Sequence, residues 1–376
     1  MPACRPYGPA RLIQIRVLDM GVLGMEKILC DISALKLYRV PPRYLYMMPN
    51  LPDFDTPFGR SELRGSPTVS EIFGLPIHAL DTRRSLLHST LVKPHRWDGP
   101  LPTGSILESP HDVSVTSPLL TLLMLAYRFS PIKLAMLLYE FVGKFTFFTP
   151  TQMLEEACRG LPPAPEWEFD GGWKMVRDAK GNPSGLWQRP PLLTMDQVHE
   201  FIDRGKGVRG RKKLAQAMRY VTGVTRSPFE ACASMLLCAP RRLGGRGFSG
   251  VQNNFRIDLS EDARTICGLS YAEGDLTWLA TARRPTTIVE CQGGMTHSGA
   301  EVSESDDDRA LALENMGNDV LRITYKQISD EEKFDLFASH LGSKLGIRQN
   351  PPSSRMADAE KVLRQTILTD WSVLDG

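Results

Sequence analysis

Apolar positions recur at helical spacing in two adjacent stretches. Ser117-Pro118 offers a serine cap with proline at the first helical position, and Leu119, Leu122, Leu123 and Ala126 follow on one face. Ser130-Pro131 repeats the start signal, and Ile132, Ala135, Leu138 and Tyr139 extend it towards a stop at Gly143. The pattern predicts a helical hairpin packed through its apolar faces. Around it, the proline-rich chain from residue 11 to 191 reads as irregular, with short helical pieces at 32–38 and 71–73. A polar hairpin is expected where 173–176 and 186–187 flank a turn at 178–183, because Gly181 and Asn182 suit a tight reversal. Trp167, Trp173 and Trp187 crowd this stretch, either filling a thin core or stacking on a ligand.

Farther along, Thr194 and Gln197 form a capping-box pattern that opens a helix ending near Gly205. Ser227-Pro228-Phe229-Glu230 opens another, with Glu230 at the capping position. After a loop at 241–250, strands are expected at 275–279 and 286–292, joined by a turn at 283–285. A helix over 305–316 capped by Ser305 and closed by Gly317, then a strand over 320–324, complete the pattern.

These elements point to an α/β (α+β) chain of two domains: a mostly helical, irregular amino-terminal half and a carboxy-terminal mixed sheet flanked by helices. The boundaries expected are 1–195, a basic connector at 196–226, a second domain at 227–348 and a loosely attached tail at 349–376. A length of 376 residues with 42% hydrophobic content suits two cores.

Charge changes the picture only locally. The 45 basic and 43 acidic residues nearly cancel, so the overall balance announces no polyanion partner. Between Arg204 and Arg226, however, lie eight basic residues and no acidic one, with Arg209, Arg211, Lys212 and Lys213 at the centre. Such a segment suits nucleic-acid phosphates, and it equally suits an ordinary solvated helix face. Seven cysteines form no C-x-x-C pair, so the cysteines signal neither a zinc site nor a disulfide framework, and a cytoplasmic setting is expected. The first 25 residues carry Arg5, Arg11 and Arg16 and do not read as a signal peptide. The longest apolar run, 118–127, is too short for the ~20 residues of a membrane helix.

Candidate chemistry lies in the second half. Alternation places Ile288, Glu290 and Gln292 on one strand face, and antiparallel pairing with the preceding strand brings Asp275 to Glu290. Two carboxylates meeting there make a hard-oxygen site for Mg²⁺ or Mn²⁺, with Asp275 and Glu290 as metal ligands. Gln292 is a candidate to orient water, and Glu230 a candidate beside its capping role. His297, on a glycine-rich loop, is either a general base or simply exposed.

Over residues 227–328 the chain resembles the Vsr-like branch of the PD-(D/E)xK nuclease superfamily. The likeness rests on Ser227, Pro228 and Glu230, then Asp275, then Glu290, Gln292 and Gly293, then His297, Asp306, Arg309, Leu313, Gly317, Val320 and Arg322. It implies a restriction-endonuclease-like fold, phosphodiester hydrolysis with Mg²⁺, and phosphate contact by Arg309. Gln292 stands where many members carry lysine, and the acidic insertion 298–305 is a further departure. The amino-terminal half is similar to AbiEi-type antitoxin and regulator proteins at Ser33-Ala34-Leu35, at 113–118 leading into 122–126, and at the basic 209–213. Together these imply a DNA-associated protein, either a divergent endonuclease or a non-catalytic regulator of toxin-antitoxin or defence type with a cognate partner.

Overall fold

The computed structural model describes residues 27–82, 88–109, 113–159, 171–178, 180–205, 207–293 and 300–374, with the backbone alone at 159 and 300–306. It belongs to the α+β class, with three sheets among the described residues.

The first sheet takes strands from the region read as irregular. It comprises β1 (Ile28–Leu29), β2 (Ile77–Asp81), β3 (Val92–Arg96), β4 (Ile106–Ser109) and β5 (Val113–Thr116), in the order β3-β2-β1-β5-β4. Pairings β1/β5 and β2/β3 are parallel, and β1/β2 and β4/β5 antiparallel. Every residue of β2 and β5 is buried, because apolar clusters cover both faces. Strands covered on both sides lose the alternation by which a half-exposed strand is recognised. The amino-terminal half is therefore not mostly irregular: a compact mixed sheet organises it.

The predicted helical hairpin is present as Pro118–Leu125 and Pro131–Val142. Ser117 and Ser130 cap them by accepting from Leu120 N at 3.3 Å and Lys133 N at 3.2 Å. The first helix is apolar all round because it faces two clusters, Leu122 and Leu125 in one and Leu120, Leu123 and Met124 in the other. A second sheet, antiparallel in the order β6-β8-β7, joins β6 (Phe145–Phe147), β7 (Lys174–Arg177) and β8 (Pro183–Gln188). Trp173 and Trp187 meet edge-on at 6.4 Å, with Trp187 buried, which favours their core-filling role; Trp167 lies outside the described residues.

The third sheet runs β12-β11-β10-β9, from β9 (Val251–Asp258), β10 (Tyr271–Trp278), β11 (Thr287–Gln292) and β12 (Asp319–Thr324). Pairs β9/β10 and β10/β11 are antiparallel and β11/β12 is parallel. Helix Pro228–Cys238 precedes β9, and helix Ala300–Asn315 crosses between β11 and β12. Elements not anticipated here include β9, whose polar run Gln252-Asn253-Asn254 masks it, and helices Glu261–Cys267, Tyr325–Ser329 and Glu331–Lys344. The crossover helix also begins before Ser305, so that serine is not its cap. Gly317 does close it, at φ +79° with its N–H on Glu314 O at 2.8 Å.

The segment expected to be a loose tail is packed. Helix Ser354–Ile367 buries Leu363 and Ile367, and Trp371 and Leu374 follow into the core. One contiguous hydrophobic cluster runs from Leu29 to Leu374 and crosses each expected boundary. At its centre Arg39 meets buried Glu140 in a bidentate pair, Nε–Oε1 at 2.8 Å and Nη2–Oε2 at 2.7 Å. Thr146 donates to Glu140 Oε1 at 2.6 Å, and Arg39 also donates to Ser372 O at 2.8 Å and Trp371 O at 3.2 Å. Arg189 donates to Glu140 O at 2.9 Å, and burial lowers its guanidinium pKa to about 10.

Removing the carboxylate strands buried arginine charge. Glu140→Ala should therefore destabilise the protein by about 3–5 kcal/mol, read as a lower midpoint in guanidinium unfolding. A loss below about 1 kcal/mol would mean that the pair behaves like an exposed one.

Candidate active site

Three of the sequence-predicted carboxylates lie at the third sheet within each other's electrostatic reach, each delivered by a different element. Ser227 caps helix Pro228–Cys238 by accepting from Glu230 N at 3.1 Å. The Glu230 side chain does not close the reciprocal box on Ser227 N–H. Its Oε2 accepts from Arg226 N at 2.9 Å and Asn254 Nδ2 at 2.8 Å, and its Oε1 from Ser227 Oγ at 2.9 Å. Burial pushes its carboxyl pKa up against the pull of those hydrogen bonds.

Asn254 is a residue that sequence reasoning passed over. It adopts φ +49°, a left-handed conformation rare outside glycine, and its amide also donates to Val224 O at 3.1 Å. The β9/β10 ladder pairs Gly274 with Phe255 and Leu276 with Asn253, and the paired positions skip Asn254 and Asp275. At the neighbouring Gly274, a Cβ would stand 2.8 Å from Ile288 Cγ2 and 2.5 Å from Thr277 Oγ1. Only glycine fits this approach of β10 to β11. The only signals in the sequence are an asparagine in a strand and the glycine before Asp275.

Asp275 and Glu290 lie on neighbouring antiparallel strands, as expected. The register Leu276↔Val289, continued by one residue, sets Asp275 against Glu290. There the ladder opens, and Asp275 Oδ2 accepts the Cys291 backbone N–H at 2.7 Å. Glu290 is buried and accepts from Arg309 Nη2 at 2.9 Å. The phosphate role expected of Arg309 thus competes with an ion pair inside the site.

Asp275 keeps a partial opening to solvent while protein encloses it on most sides. Burial, then the negative charges of Glu230 and Glu290, hold its carboxyl well above the usual range, against the Cys291 N–H and Arg309. Burial and the same carboxylates keep the Cys291 sulfur a thiol. Arg226 turns its guanidinium to Glu273.

Gln292 ends β11 opposite Thr324, on the Glu290 face by strand alternation. His297 and the side chain of Asp306 lie outside the described residues. Among the basic residues, Arg209 stacks on Tyr127 at 4.9 Å and Arg211 bonds Ile202 O, while Lys212 is exposed. Helix Arg211–Ala217 packs against the core helix Pro131–Val142, so part of this segment has structural work.

An oxygen-only donor set suits Mg²⁺ or Mn²⁺. The carboxylates are not fully convergent: among the described residues, the group of three His, Cys, Asp or Glu ligand atoms mutually within 4.8 Å is Asp31, His78 and His95. Magnesium sites commonly use one or two carboxylates and complete their shell with water. At the Asp31 group the charge balance is opposite. Burial works against ionisation of Asp31, but His78, His95 and Arg128 outweigh it and bring its pKa to about 2, while burial takes His95 to about 4.

No family model, curated protein or solved structure matches this chain.

The raised pKa of Asp275 has a stability consequence. A carboxyl whose folded pKa is raised contributes stability below its unfolded value of about 3.9 and loses it as pH rises through the folded value. Asp275→Asn should therefore raise the unfolding midpoint at neutral pH, by more than the about 0.5 kcal/mol scatter of surface substitutions, and the gain should vanish in acid. Denaturation across a pH series checks this; equal midpoints at neutral pH would contradict the crowding of carboxylates.

Proposed function

We propose that the carboxy-terminal helix–strand–helix–strand–strand–helix–strand unit is a divalent-metal-dependent phosphodiester-hydrolysing domain in a nucleic-acid-associated protein. The observation that carries this reading is the meeting of Glu230, Asp275 and Glu290, where Asp275 is charged only against the field of the other two. An excess of buried carboxylate is poorly suited to a purely structural role and well suited to a cation. When bound, Mg²⁺ or Mn²⁺ supplies Lewis acidity towards a phosphate oxygen and lowers the pKa of water. Asp275 and Glu290 are its ligands in this reading. Glu230, tied to Asn254, positions the helix start beside them, and Gln292 faces the same side without the charge of a lysine. The mixed sheet order and the resemblance to the Vsr-like branch support the assignment, and His297 remains the candidate base.

The regulator reading has its own support. Arg309 on Glu290 Oε2 and the Cys291 N–H on Asp275 Oδ2 each occupy one oxygen of the two ligands from within the protein, as in a site retained for binding without turnover.

The two readings separate on turnover. Purified protein with Mg²⁺ or Mn²⁺ should cut single- or double-stranded DNA or RNA, and chelator should stop it. Glu290→Gln, nearly unchanged in volume, should fold and lose at least about 100-fold in rate. Cutting that persists in Glu290→Gln or in chelator would sink the proposal, and binding without cutting under either metal would favour the regulator. For the basic segment, Arg209, Lys212 and Lys213 changed together to glutamine spare the Arg211 bond. The slope of log K against log salt should then fall by about 0.9 for each phosphate that the variant no longer neutralises; an unchanged slope returns these residues to an ordinary solvated face.

A further inference from the structure

A second polar centre lies in the first sheet, unrelated to the carboxylates of the third. Asp31 opens helix Asp31–Arg39 immediately after β1, is buried, and adopts φ +50°. A non-glycine residue rarely adopts this backbone, so the surroundings must enforce it. His78 comes from β2 and His95 from β3, parallel strands in which Leu80 pairs with His95. Their rings stack at 4.9 Å with an interplanar angle of 28°. The backbone of His78 is pinned by its N–H on Ser33 Oγ at 2.9 Å.

The contacts converge on one atom. His78 Nδ1 lies 3.0 Å from Asp31 Oδ1 and 3.0 Å from His95 Nε2. One ring proton serves these contacts poorly. If His78 Nδ1–H donates to Asp31, it offers no lone pair to His95. If instead it accepts from His95 Nε2–H, its lone pair faces a carboxylate oxygen. A cation at the centre satisfies all three lone pairs at once. The spacing agrees: metal–ligand bonds of about 2.0–2.1 Å in a tetrahedron set ligand atoms about 3.3 Å apart. Asp31 Oδ2 and His95 Nδ1, at 3.9 Å, leave the carboxylate room to turn.

We propose that Asp31, His78 and His95 form a binding site for a late first-row divalent cation, with Zn²⁺ as the reference ion and a fourth coordination position open to water or an anion. Two imidazoles and one carboxylate select such ions over Mg²⁺. Cys30, although adjacent in sequence, is not part of the group, so the set is nitrogen and oxygen only. Arg128 donates to Asp31 Oδ1 at 2.7 Å and orients the carboxylate. It also places a positive charge beside the metal, which weakens cation affinity and favours an anionic fourth ligand. The side chains of His95 and Arg128 are 18% and 29% exposed, which leaves access from solvent. The ion would cross-link the start of the first helix to two strands, tightening a sheet whose β1 has only two residues.

The test uses the full chain, stripped by chelator and held in excess Mg²⁺. Titration with Co²⁺ should give one equivalent of visible d–d absorption that Zn²⁺ abolishes. His95→Gln and His78→Gln should weaken that site more than the about 100-fold ceiling for losing an outer-shell partner, whereas Glu290→Gln should leave it intact. Should a histidine variant unfold, the imidazole nitrogen resonances of the unaltered protein should still shift with one equivalent of Zn²⁺. Equal Co²⁺ binding by His95→Gln and the unaltered chain would overturn the proposal. So would histidine resonances that Zn²⁺ does not move, or loss of the signal in Glu290→Gln.

Discussion

Glu140 sits in the last turn of a helix that is otherwise almost wholly apolar, and its carboxylate is fully buried. Moving such a charge out of water costs several kcal/mol, an outlay recovered only if its partners stand in good geometry. Those partners come from far along the chain: Arg39 from the first helix and Thr146 from β6. Arg39 in turn takes the carbonyls of Trp371 and Ser372. Satisfying one carboxylate thus brings the first helix, the core helix, the second sheet and the end of the chain into a single place. These contacts tie the chain's end to the apolar cluster that extends from Leu29 to Leu374, into which Leu363, Ile367, Trp371 and Leu374 are packed.

Two other buried acidic groups balance charge in opposite ways. Asp31 is surrounded by nitrogen: two imidazoles and a guanidinium favour its ionised form. Asp275 is surrounded by carboxylates, with a backbone N–H and a more distant guanidinium as relief. The first arrangement is a buried anion flanked by two imidazoles and a guanidinium, suited to a nitrogen-preferring metal. The second holds surplus negative potential, suited to a hard cation that brings its own water. The protein therefore carries two chemically distinct polar centres, on different sheets and built from different donors.

Local chemistry was largely legible in the sequence. The caps at Ser117, Ser130, Thr194 and Ser227 could be read because a cap satisfies an N–H within three residues of itself. The strand carrying Glu290 was legible because turn residues precede it and its polar positions alternate, and the antiparallel approach of Asp275 followed from a short connection. The start of the crossover helix was not, since polar residues before Ser305 extend the helix without an apolar period to announce it.

What the sequence determined by itself is thus the α+β character, the helical hairpin, and the identity of the acidic residues on β10 and β11. Only the tertiary structure decided the five-stranded sheet, because strands buried on both faces carry no alternation. It alone decided that Asn254, through a left-handed backbone and a long-range amide contact, holds Glu230. It also assembled Asp31, His78 and His95, which stand 47 and 17 residues apart. Helix caps and strand faces are governed by neighbours along the chain, whereas the balance of buried charge is governed by neighbours in space, and no local pattern encodes those.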